Sequence, residues 1–383
     1  MRDLLSGNYA IAEAVRLARV EYVAAYPITP QTPIYEKLSE FDAQGKLAGI
    51  MVRMESEHSS MASLIAASLT GVRTFTATAS QGLVLMHEML HFASGARVPV
   101  VMACVNRTLG VPWAFGSDQT DTLAQRDTGW MQFYCENGQE ALDTVIQAYK
   151  IAEQVLFPVM VIIDGFFTSH FIEPVDIPDQ TLIDAYLPQV LVPNRFDTED
   201  PAYVICNVNP PEYFHLRQNS FNDMELARPI IVAADTEYRA LTGRSYGPVE
   251  TVNTSDAEVV LVTSGAMTST ARVAIESLRK KGCKAGLLKI KAFRPFPTEE
   301  IRQALEHVPR VAVIDRNISM GKEGIFCQEI RSALCPLDRR PMVQGYIAGI
   351  CGANVSPELL EDIAMRTLGK EKPEDLPIWV RED

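Results

Sequence analysis

Ala24-Ala25-Tyr26-Pro27-Ile28-Thr29-Pro30-Gln31-Thr32 is an apolar strand that stops at two prolines, and further along comes Met54-Glu55-Ser56-Glu57-His58. A strand closing on a Tyr-Pro-x-Thr-Pro turn leaves a threonine hydroxyl and free amides at the carboxyl edge of its sheet, where open α/β sheets bind ligands. The plain alternative is an ordinary strand exit, because prolines commonly punctuate one. Outward from this turn, strand patterns run over Val23–Tyr26, Gly49–Met54, Arg73–Ala77, Val98–Cys104 and Pro158–Ile163. Helical patterns fall at Asn8–Arg19, with Ser6 as its cap, and at His58–Leu69, Gly82–Ala93 and Gln139–Leu156. Short strands apolar on both faces, separated by helices, predict a doubly wound parallel sheet over residues 1–170.

Residues 171–255 break the alternation. Prolines at 174, 178, 188, 193, 201, 210, 211 and 229 interrupt every window, so this stretch is expected to be an irregular arm and linker. Alternation resumes over residues 256–383, with strands at Glu258–Thr263, Lys284–Ile290 and Arg310–Asp315. Helices follow at Met267–Lys281, Thr298–His307 and near Glu358–Thr367, with Thr298 as a candidate cap. The second domain is expected to be a smaller α/β sheet. Two domains suit 383 residues, because single cores rarely grow past about 250–300 residues.

A formal charge of −13 argues against a nucleic-acid partner, whose phosphates want a basic stripe. Met1-Arg2-Asp3-Leu4-Leu5-Ser6 lacks the apolar core of a secretory signal, and runs such as Val98–Val105 are too short to span a bilayer, so the expectation is a cytoplasmic protein without a membrane partner. The seven cysteines never form Cys-x-x-Cys, and the expectation is buried free thiols, with any electron-carrying cluster on another chain. His87-Glu88-Met89-Leu90-His91 fits the zinc-protease pattern, but the third ligand and the protease context are missing, so no metal site is expected.

Tyr26–Pro30, Glu57, Arg107 and Phe293-Arg294-Pro295-Phe296-Pro297 together resemble the alpha subunit of a multi-subunit, pyruvate-type 2-oxoacid:ferredoxin oxidoreductase. The resemblance implies a thiamine diphosphate pyrimidine-binding domain followed by a domain similar to the carboxyl-terminal domain of transketolases. It implies that Tyr26, Pro27, Ile28 and Glu57 hold the aminopyrimidine of thiamine diphosphate. A beta subunit would hold the diphosphate, Mg2+ and an iron-sulfur cluster. Gamma and delta subunits, ferredoxin and coenzyme A complete the implied assembly, a dimer of hetero-oligomers of anaerobic metabolism.

In that family a carboxyl group bonded to the pyrimidine ring promotes the tautomer that activates the cofactor. Glu57 matches that position. Glu55 would face the same way on a strand, and spacing alone does not choose between them. Burial against the helix that follows would raise a carboxyl pKa into a useful range. Arg107 offers a bidentate fork to a 2-oxoacid carboxylate, and Thr29 adds a hydroxyl. The resemblance makes both substrate-binding residues; the alternative for Arg107 is a surface loop arginine.

Phe115-Gly116-Ser117-Asp118-Gln119-Thr120-Asp121 is similar to the family's loop over the active site, often written Trp-x-Asp-His, with Gln119 as a departure and Phe115 near the expected aromatic. No extra cation stands in the Tyr26–Pro30 turn, which favours a monocarboxylate such as pyruvate over oxalate or 2-oxoglutarate. A branched-chain 2-oxoacid stays open, because acyl size is worth only about 1–3 kcal/mol. So do a non-redox thiamine enzyme, such as a decarboxylase or transketolase-like pair, and a non-catalytic assembly subunit.

Overall fold

A computed structural model describes residues 1–189, 193, 195–199 and 206–382. The first sheet has seven strands, six of them from the first half of the chain. Its order is Ala292–Arg294, Met131–Tyr134, Val159–Asp164, Val101–Asn106, Thr74–Thr78, Tyr22–Ala25 and Ile50–Arg53. All neighbours are parallel except the first pair. Strands such as Val101–Asn106 and Val159–Asp164 are buried along their whole length, as a sheet covered on both faces requires. Helix Gly7–Leu17 starts where Ser6 Oγ accepts from the Tyr9 amide at 3.3 Å, which meets the expected cap. The expected helix Gly82–Ala93 divides at the buried Met86 into Ser80–Leu85 and His87–Gly95.

The second sheet runs Ile378–Trp379, Met342–Ile347, Arg310–Asp315, Val259–Thr263, Ala285–Ile290 and Val249–Val252, with only the last strand antiparallel. Helix Thr298–Leu305 begins at Thr298 itself, so Pro297 stands at the cap position and no side chain caps it, contrary to the expectation for Thr298.

The stretch 171–255 is a correction. Ile172–Asp176 pairs antiparallel with Arg2–Ser6, Gln180–Tyr186 is helical, and Pro210–Thr242 is one helix of 33 residues. Pro210 and Pro211 occupy the first helical turn, where a missing N–H costs nothing. Asn209 and Glu212 form a capping box, and Pro229 is carried inside. Ala227, Ile231, Ala234 and Tyr238 form its buried stripe. Residues 190–192, 194 and 200–205 of the stretch lie outside the described residues.

The two sheets are bolted together. Ala292–Arg294 leaves the second half of the chain to join the first sheet, and Phe293 packs edge-on against Tyr134, Phe296 and Phe326 with centroids 5.0–6.1 Å apart. Glu136 accepts from Arg272 and Lys289, each at 2.9 Å, across the same junction. Among the described residues no helix is long and apolar enough to cross a membrane. Cys104, Cys135 and Cys327 are buried, but Cys206, Cys335 and Cys351 are exposed, so the expectation of buried thiols holds for only part of the set.

Candidate active site

Sheet order decides the site. Tyr22–Ala25 is flanked by Ile50–Arg53 on one side and Thr74–Thr78 on the other, with Val101–Asn106 next. The chain therefore reverses its winding beside Tyr22–Ala25, and the crevice at that carboxyl edge is where such folds admit ligands. The expected residues leave strand ends along that edge. Tyr26, Pro27, Ile28 and Thr29 follow the central strand, Glu57 follows Ile50–Arg53, and Arg107 follows Val101–Asn106.

Glu57 is the first residue of helix Glu57–Ser68, capped by Ser56, whose Oγ accepts from the Ser59 amide at 3.2 Å. The residue is 5 % exposed. Burial raises its pKa, partly offset by its own amide and by Arg107. Gly82, at the start of helix Ser80–Leu85, lies directly against this carboxylate, and any Cβ there would overlap it and the Thr78 hydroxyl. Thr78 is fully buried and its Oγ1 has no partner among the described residues. Glu55 is exposed, bonded by Ser59, and its pKa is lowered by that bond. Helix geometry thus separates two acids that strand spacing left equivalent.

Arg107 is also 5 % exposed. Its Nη1 donates to the Thr29 carbonyl at 2.7 Å and its Nη2 to Gln81 Oε1 at 2.6 Å, while Nε is buried without a partner among the described residues. Burial lowers its pKa, opposed by Asp121 and Glu57. Glu57 and Arg107 therefore sense each other's charge from one crevice. Trp113 lies over the guanidinium at 4.9 Å and Phe115 at 5.8 Å, and the two rings meet edge-to-face. Tyr26, Pro27 and Thr29 are exposed along the crevice, and Gln31 braces the turn through the Tyr26 and Ile28 carbonyls.

Sequence reading missed Gln81, Gly82, Thr78, Trp113 and Asp121. A glycine in the first turn of a helix was a usable signal for Gly82, since there it marks close approach rather than a turn. Arg107's partners depend on strand order, so nothing in local sequence marks Gln81. His87 and His91 share a helix face, with ring centroids 5.0 Å apart, but His87 Nδ1 bonds Gln125 and Glu88 meets His58. Asp164 ends its strand by accepting from the Ala266 amide at 2.7 Å and from Ser117 Oγ at 2.8 Å, so the amides beside Gly265 are engaged by this chain's own carboxylate.

The profile described as pyruvate flavodoxin/ferredoxin oxidoreductase, thiamine diphosphate-binding, matches residues 13–235, and the one described as pyruvate:ferredoxin oxidoreductase core domain II matches 257–360. The chain belongs to the pyruvate/2-oxoisovalerate:ferredoxin oxidoreductase family, as an alpha subunit. It is 44% identical to pyruvate synthase subunit PorA of Methanothermobacter thermautotrophicus over 98% of this chain and 97% of the relative. It is 45% identical to ketoisovalerate oxidoreductase subunit VorA of Pyrococcus horikoshii over 95% and 93%.

A solved 2-oxoglutarate:ferredoxin oxidoreductase from Magnetococcus marinus shares the fold at TM-score 0.74 and 19% identity, over 96% of this chain and 65% of that one. A split-gene transketolase aligns at TM-score 0.57 and 13% identity, over 95% and 98%. Membership makes this an oxidoreductase subunit with a thiamine diphosphate-binding domain, working with other subunits, rather than a non-redox thiamine enzyme.

The crevice fits an aminopyrimidine. Among the described residues no side chain hydrogen-bonds the buried Glu57 carboxylate, and Gly82 leaves room beside it, so a flat, nitrogen-rich ring would satisfy that acid.

Proposed function

We propose that this subunit supplies the pyrimidine-binding half of a complex that converts pyruvate and coenzyme A to acetyl-coenzyme A and carbon dioxide, reversibly. One proton and two electrons are released, and the electrons pass to ferredoxin. The observation that carries the reading is that the strand order brings the buried Glu57 carboxylate and the buried Arg107 fork to the same carboxyl edge of the first sheet. Thiamine diphosphate, when bound, supplies the electron sink for decarboxylation.

Glu57 would hold a proton at the pyrimidine ring, and Tyr26, Pro27 and Ile28 would form the ring's wall. Arg107 would present the outer edge of its guanidinium to the substrate carboxylate, with the Thr29 hydroxyl beside it. Phe115 would cover the acyl group. An apolar lid without an added cation supports a monocarboxylate.

Residues 1–170 and 256–383 are the proposed pyrimidine-binding and transketolase-like domains. The beta subunit is the proposed holder of the diphosphate, Mg2+ and a cluster. Gamma and delta subunits complete a dimer of hetero-oligomers in the cytoplasm, where coenzyme A and ferredoxin are available. A second reading, a branched-chain 2-oxoacid as substrate, is favoured by the nearly equal identity to the PorA and VorA relatives.

The test is to co-purify the complex and follow viologen reduction with pyruvate, 2-oxoisovalerate, 2-oxoglutarate and oxalate, each with coenzyme A. Highest kcat/KM on pyruvate supports the first reading, and highest on 2-oxoisovalerate the second. Reduction driven only by a dicarboxylate overturns both.

A further inference from the structure

We propose that Asp121 is a positioning residue for the substrate clamp: one buried carboxylate ties the strand end that carries Arg107 to the helix start that carries Gln81 and Gly82. This inference rests on the reading of Arg107 as the carboxylate fork.

Asp121 lies on the short helix Thr120–Leu123 and is fully buried. Its Oδ2 accepts from the Ser80 amide at 2.8 Å and the Arg107 amide at 3.2 Å. Its Oδ1 accepts from Asn106 Nδ2 at 2.5 Å and the Thr122 amide at 2.8 Å. Three of these donors belong to the two segments that form the clamp. Arg107 gives its guanidinium to Thr29 and Gln81 instead, so among the described residues no cationic side chain hydrogen-bonds this carboxylate. Burying such a group is costly, and burial pushes its pKa up to about 7 against all four bonds. Apolar packing would stabilise the core at less expense, so the position asks for a reason beyond stability.

Ser80 supplies that reason. Its backbone is left-handed, at φ +48°, a conformation that a non-glycine residue holds only when its surroundings enforce it. Asp121 grips the Ser80 amide, and Ser80 Oγ donates to the Thr108 carbonyl, one residue beyond Arg107. This turn aims Gln81 Oε1 at Arg107 Nη2 and sets Gly82 against Glu57. Loosening it would let the fork swing while strands and core stayed in place.

The test is Asp121→Asn in the reconstituted complex, where the amide nitrogen must face N–H donors that the carboxylate accepted. KM for the preferred 2-oxoacid is expected to rise about 10–50-fold, the scale of a misplaced binding group. Titration calorimetry with oxamate, a non-reacting monocarboxylate, is expected to report a matching rise in Kd. At saturating 2-oxoacid, kcat and the KM for coenzyme A should stay within about threefold, a split that loss of folded protein does not produce.

Unchanged KM and oxamate Kd, or a loss expressed only in kcat, overturns the inference. Should the variant fail to assemble, Asn106→Ala removes one donor and keeps Asp121; a KM rise of about three- to fivefold supports the inference and an unchanged KM overturns it. A wild-type complex inactive on every 2-oxoacid defeats the functional reading itself, whereas an active wild type with an unaltered Asp121→Asn KM defeats only this step.

Discussion

Replacing Glu57 by Gln removes an ionisable proton and almost nothing else. The helix start, its Ser56 cap and the contact with Gly82 all survive, because Gln has the same length and shape. Acid–base assistance of the kind assigned to Glu57 is typically worth about 10²–10⁴ in rate, or about 2.7–5.4 kcal/mol at 1.36 kcal/mol per tenfold. Turnover should therefore fall at least about a hundredfold.

Stability should move the other way or not at all. Burial raises the pKa of Glu57, so the fold prefers its protonated form, and its contribution is greatest below the ordinary carboxylate range and declines as pH rises. A neutral amide avoids that cost at neutral pH. Viologen reduction by the reconstituted complex and thermal unfolding of the same preparation read both effects. Turnover within about threefold of wild type would remove Glu57 from the chemistry, and a Tm lowered by more than about 5 °C would show that it acts in folding instead.

Arg107→Lys loses the planar fork that reaches Thr29 and Gln81 together, and KM for the 2-oxoacid should rise about 30–100-fold, measured by steady-state kinetics. Gly82→Ala forces a methyl into the Glu57 carboxylate. About 1–3 kcal/mol of overpacking should weaken thiamine diphosphate binding roughly tenfold, measured by titrating cofactor-depleted complex. Burial opposes the charge of Glu136, yet Arg272, Lys289 and Ser269 hold its pKa down to about 2. Its stabilisation is therefore complete above the ordinary glutamate range near 4.5 and is lost as pH falls toward 2. Glu136→Gln should flatten that acid limb in urea melts and cost about 1.5–3 kcal/mol at pH 7, because Arg272 and Lys289 each lose one carboxylate while keeping Glu250 and Glu140.

Local pattern carried most of the elements, since a strand buried on both faces and an amphipathic helix write their periods directly into the chain. It failed at Pro210–Thr242. There the prolines look like interruptions in the sequence, although Pro210 and Pro211 begin the helix and packing of Ile231 and Tyr238 on the first domain holds the rest. It also failed at Ala292–Arg294, too short to show a period and donated to a sheet assembled from distant residues.

By itself, then, the sequence determined the alternating architecture, the Tyr26–Pro30 exit, and the kinds of group available at the site: an acid at 57 and a fork at 107. Those depend on residue type and near neighbours. Only tertiary structure decided which acid is buried, that Gln81 and Thr29 hold Arg107, and that Asp121 stands behind them. Each of these follows from strand order, which brings residues 29, 57, 81, 107 and 121 to one edge of the sheet. Desolvation and hydrogen bonding act through space, at distances that spacing along the chain does not encode.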